Sequence, residues 1–258
     1  LHSFPTRRSS DLHIDLGAIG TARLPTSCNA AAQPQMDRGV TLIHSFWYAE
    51  AEKSFRGAAD ADPQCGMAWW GIAMSNLHPL WAPPTPDELK TGHQAATKAK
   101  QVGGKTPRER GYIDAISTYY GDADKLDHRT RMATYEKAMA GVDSSNPDDL
   151  EAAIFHALAL LGIASPNDKT HAVQKQAAQI LNRVLPQVPE HPGVTHYLIH
   201  SFDYPDLAEL ALPAARVYAK LAPGSPHALH MPSHIFTRLG LWDESRSEEH
   251  TSELQSPI

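Results

Sequence analysis

Histidine is the residue type whose number and spacing in this sequence point to chemistry. The chain has 15 histidines among 258 residues. His196, His200 and Asp203 stand at positions i, i+4 and i+7 of a predicted helix, so they share one face. Neutral imidazole binds zinc, iron, nickel or copper, and a carboxylate can complete the ligand set. The spacing therefore predicts that this face can hold a divalent transition-metal ion.

A second group of histidines lies in the next predicted helix. His227, His230 and His234 stand at i, i+3 and i+7, which also places them on one face. The alternative for both groups is a structural role, in which half-buried rings bond backbone carbonyls. Pro232 supports that alternative if it delays the helix start and leaves His227 and His230 in a loop. The sequence leaves the choice between a metal site and structural histidines open.

Familiar catalytic and nucleic-acid signatures are missing from the sequence. It contains no His-Glu-x-x-His and no Gly-x-Ser-x-Gly. Residues 104–106 read Gly-Lys-Thr, but the segment before them is predicted to be a helix, whereas a phosphate-binding loop follows a strand. The net charge of -6, with no basic stripe, argues against a nucleic-acid partner. We expect no membrane-spanning segment and no catalysis by a known motif, and whether the chain is an enzyme stays open.

Small and aromatic residues recur at helical spacing and are followed by a proline. The clearest unit consists of Gly39, Tyr48, Ala51, Phe55, Ala58 and Pro63. The same spacing returns at Ala177, Leu181, Val184 and Pro189. Small residues let two helices approach closely, an aromatic ring fills the space beside them, and proline ends the second helix. The pattern predicts repeated antiparallel helical hairpins.

With the runs HSFWYAEAEKSF at 44–55 and HALHMPSHIFTRLG at 227–240, this pattern resembles the tetratricopeptide repeat family, especially bacterial members of uncharacterised function. The resemblance covers residues 34–245 and implies an all-α fold, an α-α superhelix whose last repeat is incomplete. It also implies that the first helices of the hairpins line a concave groove, which would bring the two histidine faces together. The implied function is a scaffold that binds a protein or peptide in that groove. The alternative is a metal- or ligand-binding protein that uses the histidine faces.

Periodicity and helix caps predict where the helices lie. The predicted helices are 34–46, 48–60, 64–77, 86–102, 106–121, 127–141, 148–163, 169–186, 191–203, 206–221 and 226–239. Thr106 and Asp206 are expected to cap two of them. Residues 13–33 are expected to be an extended lead-in. Residues 1–12 and 246–258 resemble in-frame translations of sequencing adapters, so we expect them to be foreign to the natural protein.

Two cysteines, Cys28 and Cys65, are too few for a disulfide framework and are not spaced as a zinc site. They can form one bridge or remain two free thiols, and the sequence does not decide between these. The segment before Cys28 resembles the first residues of the mature chain, after a cleaved export signal, in similar bacterial proteins. A periplasmic or exported location is therefore favoured over a cytoplasmic one.

Overall fold

The computed structural model describes residues 17–80 and 82–246 and is all-α, with no strand in those ranges. The helices are α1 (Gln33–His44), α2 (Tyr48–Ala61), α3 (Gly66–Ser75), α4 (Pro86–Val102), α5 (Pro107–Tyr120), α6 (His128–Ser145), α7 (Leu150–Ile163), α8 (Ala172–Val184), α9 (Pro192–Phe202), α10 (Ala208–Leu221) and α11 (Pro226–Arg238). Residues 242–246 are also helical. Consecutive helices pair as antiparallel hairpins, and the predicted helical-hairpin superhelix is confirmed.

Helix starts follow the local chemistry of the sequence. Thr106 caps α5 in a capping box with Glu109, as predicted for that threonine. Asp149 caps α7 by accepting from the backbone N–H of Ala152. The prediction that Asp206 caps the tenth helix is wrong, because α10 begins two residues later at Ala208 without a side-chain cap. No helix in the described ranges is both long and apolar enough to cross a bilayer.

Close helix packing depends on glycines that face one aromatic ring. Phe55 of α2 lies between α1 and α3, where Gly39 and Gly71 leave room for it. A methyl group at Gly39 would lie 2.6 Å from the ring of Phe55, and one at Gly71 would lie 2.2 Å from it. The small-aromatic pairing that the sequence indicated is therefore a contact between neighbouring hairpins.

We expect Gly71→Ala to lower the free energy of unfolding by about 1–3 kcal/mol, because the added methyl overlaps a ring that cannot move away. Gly141 is the matched control, since an added methyl there meets no atom within 4 Å. Gly141→Ala, in the middle of α6, should raise stability by about 0.4–1 kcal/mol. Urea denaturation measures both, and a Gly71→Ala chain as stable as the parent would contradict this packing.

The first helices of the hairpins fill the inside of the array. Phe155 of α7 contacts Trp70 of α3 at a ring distance of 5.3 Å and Tyr112 of α5 at 6.3 Å. It also contacts His44 of α1 at 4.9 Å, and α1 packs against α9. Nearly every residue of α3, α7 and α9 is buried. The concave groove that we expected for a peptide is therefore occupied by the protein's own rings along the described residues.

The segment before α1 is tied to the array covalently and by hydrogen bonds. Cys28 and Cys65 form a disulfide, which decides between the two states that the sequence left open. Next to the bridge, Ser27 donates its N–H and its hydroxyl to the carboxylate of Glu109 at 2.6 Å each. The bridge fixes the lead-in against the start of α3, where Cys65 is also the N-cap.

Candidate metal centre

Three imidazole nitrogens meet between α9 and α11. His196 and His200 lie one turn apart on α9, and His227 lies in the first turn of α11. The Nε2 of His196 is 3.1 Å from the Nε2 of His200 and 3.0 Å from the Nε2 of His227. The three nitrogens all lie within 4.8 Å of one another. We call these three residues the histidine triad.

A backbone carbonyl fixes the tautomer of the central ring. The Nδ1 of His196 is 2.6 Å from the carbonyl oxygen of His44, which can only accept a hydrogen bond. Nδ1 therefore carries the proton, and in the neutral ring Nε2 presents its lone pair to the other two histidines. An N–H to carbonyl bond on the far nitrogen is the usual way in which a metal-binding histidine is oriented.

Hydrogen bonding between the rings explains only part of this arrangement. The Nε2 of His196 has a single lone pair, so it can accept from His200 or from His227, but not from both. Two nitrogens bound tetrahedrally to a zinc-sized ion at about 2.0–2.1 Å lie roughly 3.4 Å apart. The observed separations of 3.0 and 3.1 Å are close to that value. One ion between the rings would satisfy all three lone pairs.

The surroundings keep the triad uncharged. His196 is fully buried, and burial, followed by the neighbouring imidazoles, holds its pKa well below the ordinary value. Burial also lowers the pKa of His200 to about 4 and that of His227 to about 3. All three rings are therefore neutral at pH 7, which is the state that binds a metal ion.

Aromatic rings enclose the triad. Phe46 stacks on His200 and His227 with ring centroids 5.6 and 5.2 Å apart, and it meets the edge of His196 at 4.4 Å. Tyr218 of α10 stacks on His196 at 5.0 Å. The backbone φ of Phe46 is +55°, a left-handed conformation that is strained for a bulky residue. The turn after α1 thus holds a strained phenylalanine against the triad.

The other three predicted ligands form a separate group. Asp203 lies one residue beyond the end of α9 and so leaves the helical face that the sequence predicted for it. Its carboxylate pairs with the Nδ1 of His234 at 3.0 Å and with Arg238. The Nε2 of His234 lies 3.0 Å from the Nε2 of His230. Pro232 does not delay the helix, because α11 begins at Pro226 and continues through it.

The neighbouring side chains of His234 and Arg238 determine the protonation state of Asp203. Burial by itself would raise the pKa of this carboxyl group, but hydrogen bonds from His234 and Arg238 hold it below the ordinary value. Asp203 is therefore ionised at neutral pH and accepts hydrogen bonds on both oxygens.

Sequence reasoning missed a second buried cluster, formed by His44, Glu151 and His191. The Nε2 of His44 is 2.8 Å from one oxygen of Glu151, and the Nε2 of His191 is 2.8 Å from the other. All three side chains are at most 5% exposed. Burial would raise the pKa of Glu151, but the two imidazoles hold it far below the ordinary range. Burial lowers the pKa of His44 despite the opposing effect of Glu151.

The tautomers in this cluster do not suit a metal ion. The backbone N–H of Gly193 donates to the Nδ1 of His191 at 3.1 Å, so the ring proton of neutral His191 is on Nε2 and points at Glu151. Binding a metal at that Nε2 would move the proton to Nδ1, against the N–H of Gly193. The hydroxyl of Tyr197 forms a hydrogen bond with the Nδ1 of His44 at 2.9 Å. The cluster is a carboxylate with two N–H donors, and we call it the Glu151 anchor.

No protein family and no curated protein matches this chain. The resemblance to tetratricopeptide repeats therefore stays a prediction. The chemistry of the site is inferred from the geometry of its own residues.

His44 joins the anchor to the triad. Its ring bonds Glu151 and Tyr197, while its carbonyl oxygen accepts from the Nδ1 of His196. A methyl group at Gly193 would lie 2.6 Å from the Nδ1 of His44, so only glycine leaves room for this ring. The anchor connects α1, α7 and the start of α9, and through His44 it orients the central ring of the triad.

A large surface pocket lies beside the anchor and away from the triad. It has a volume of about 680 Å³ and is bordered by Glu151, His191 and the ion pair between Arg108 and Asp149. None of the triad histidines borders it. The pocket therefore borders the anchor and not the histidine triad.

One signal in the sequence could have revealed the role of His44. The pentapeptide Leu-Ile-His-Ser-Phe occurs twice, at 42–46 and at 198–202. Each copy ends the first helix of a hairpin, at the ends of α1 and α9. Because α1 and α9 pack against each other, the two copies meet at the triad. Glu151 carries no comparable signal, since it stands alone in an apolar helix.

Proposed function

We propose that the chain binds a divalent transition-metal ion through the Nε2 atoms of His196, His200 and His227. The observation that carries the proposal is the convergence of three nitrogens around His196, whose other nitrogen is committed to the carbonyl of His44. Three imidazoles with a fourth position left for water form a ligand set known for zinc. Nickel, copper and iron are also ions that imidazole ligands suit.

Metal titration of the metal-free chain tests the proposal. We expect one tightly bound Zn²⁺ ion, and we expect His200→Ala and His227→Ala each to weaken its binding by at least about 100-fold. Cobalt provides a second readout, since Co²⁺ in a tetrahedral site absorbs visible light strongly. His93→Ala is the matched control, because His93 is exposed on α4 and bonds the carbonyl of Tyr120, away from the triad.

The expected pattern is loss of binding in both triad variants with circular dichroism unchanged and with the His93 variant behaving as the parent. Equal zinc affinity in the parent, His200→Ala and His227→Ala would overturn the proposal. A bound ion whose cobalt spectrum is that of the hydrated ion would do the same, because it would place the metal outside the triad.

A binding scaffold is the second candidate function, and the observation that favours it is the array of helical hairpins. Arrays of this kind, including tetratricopeptide repeats, present extended surfaces to protein partners. Since rings fill the concave side, a partner would use the outer surface, where Leu210 and Val217 of α10 are 60% and 40% exposed. Leu210→Ser with Val217→Ser should abolish partner capture without changing metal affinity, and unchanged capture would remove this candidate.

A further inference from the structure

Next to the triad, two histidines of α11 face each other through their Nε2 atoms. His230 and His234 are one helical turn apart, and their Nε2 atoms are 3.0 Å from each other. Two nitrogens at about 2.1 Å from one ion, at right angles, would be about 3.0 Å apart. The pair therefore has the spacing of two neighbouring ligands of one metal ion.

Asp203 fixes His234 in the tautomer that metal binding requires. Arg238 bonds one oxygen of this carboxylate, and the Nδ1 of His234 lies 3.0 Å from the other oxygen. A carboxylate paired with arginine accepts hydrogen bonds, so Nδ1 of His234 carries the proton and Nε2 carries the lone pair. A histidine that binds a metal commonly donates its other N–H to a carboxylate. The carboxylate makes the imidazole a stronger metal ligand.

This pair is separate from the histidine triad. In the triad His196 is buried, and Phe46 stacks on the half-buried His200 and His227. His230 is exposed and His234 is half-buried. A metal ion held by His230 and His234 would take its remaining ligands from water. Such a site would be weaker and would exchange its ion faster than the enclosed one.

We propose that His230 and His234 form a second binding site for a divalent transition-metal ion, with Asp203 as the residue that positions His234. The site lies beyond the proposed function, since the triad can hold its ion without it. Two sites that share α11 would give the chain a pair of neighbouring ions of different accessibility. The inner ion would lie against the buried His196, and the outer ion would meet solvent.

Equilibrium dialysis of the full chain against Ni²⁺, followed by elemental analysis, tests the second site. We expect about two ions per chain in the parent and about one in His230→Ala/His234→Ala, with the tight site unchanged. Asp203→Asn should weaken only the weaker site, by about 10-fold or more. His93→Ala, the control for exposed histidines, should still bind both ions.

The outcomes separate the two proposals. One ion per chain in the parent, lost in His200→Ala but kept in His230→Ala/His234→Ala, would overturn the second site and leave the triad intact. A second ion that persists in the double variant would also overturn it. If the double variant fails to fold, His230→Gln keeps the pair between Asp203 and His234 and should still remove the weaker site. Two ions in a folded His230→Gln chain would count against the proposal.

Discussion

The metal-free chain is expected to lose stability steeply as the pH falls below 6.5. Burial holds the pKa of His200 at about 4 and that of His227 at about 3, while both titrate near 6.5 when unfolded. The folded chain therefore binds these protons less readily than the unfolded chain. The free energy of unfolding therefore keeps its full value above pH 6.5. On acidification each ring lowers it by about 1.4 kcal/mol per pH unit.

From pH 6.5 to 5, these two histidines alone should lower the free energy of unfolding by about 3 kcal/mol. His196 and His44 change stability in the same direction, because burial lowers their pKa as well. Urea denaturation across this pH range measures how the free energy of unfolding changes with pH. His227→Gln should reduce this pH dependence by about 1.4 kcal/mol per pH unit. A parent chain equally stable at pH 7 and pH 5 would contradict the lowered pKa values of the triad.

Removing the carboxylate of the Glu151 anchor should destabilise the chain by about 3–5 kcal/mol. Glu151→Ala leaves the Nε2–H groups of His44 and His191 buried without their acceptor, and it removes the tie between α1, α7 and α9. Glu190 offers a matched control, since it is an exposed carboxylate next to His191. Glu190→Ala should change stability by no more than about 0.5 kcal/mol.

The same substitution should weaken metal binding at a distance. His44 orients His196 through its carbonyl, so a displaced His44 leaves the central ligand without its fixed tautomer. We expect Glu151→Ala to reduce zinc affinity by about 10- to 100-fold at a temperature where the chain is folded, as calorimetric titration would show. If affinity is unchanged while stability falls, the anchor supports the fold but does not orient the triad.

The helix bounds could be predicted closely because the residues at each helix end determine where the helix starts. Thr106 with Glu109 starts α5, and a proline at the first position starts α9 and α11. Asp206 failed as a cap because the residues after Pro205 form a turn before the helix begins. The filled interior was not predictable, since it depends on how tightly the hairpins curve, and the contacts of Phe155 with three other helices decide that.

The candidate site could be predicted only in part. Spacing on α9 and α11 identified the histidines of the triad, because helical periodicity is local. Which nitrogens meet depends on the packing of α9 against α11, so the sequence could not show that Asp203 pairs with His234 of α11. The anchor was missed because Glu151 is 107 residues from His44 and 40 from His191.

The central claim is that one metal ion sits between His196, His200 and His227, and anomalous diffraction from crystals grown with Zn²⁺ tests it most directly. We predict an anomalous peak about 2.0–2.1 Å from all three Nε2 atoms, with the Nδ1 of His196 still bonded to the carbonyl of His44. Crystals grown with zinc that show three histidines in contact and no peak between them would contradict it.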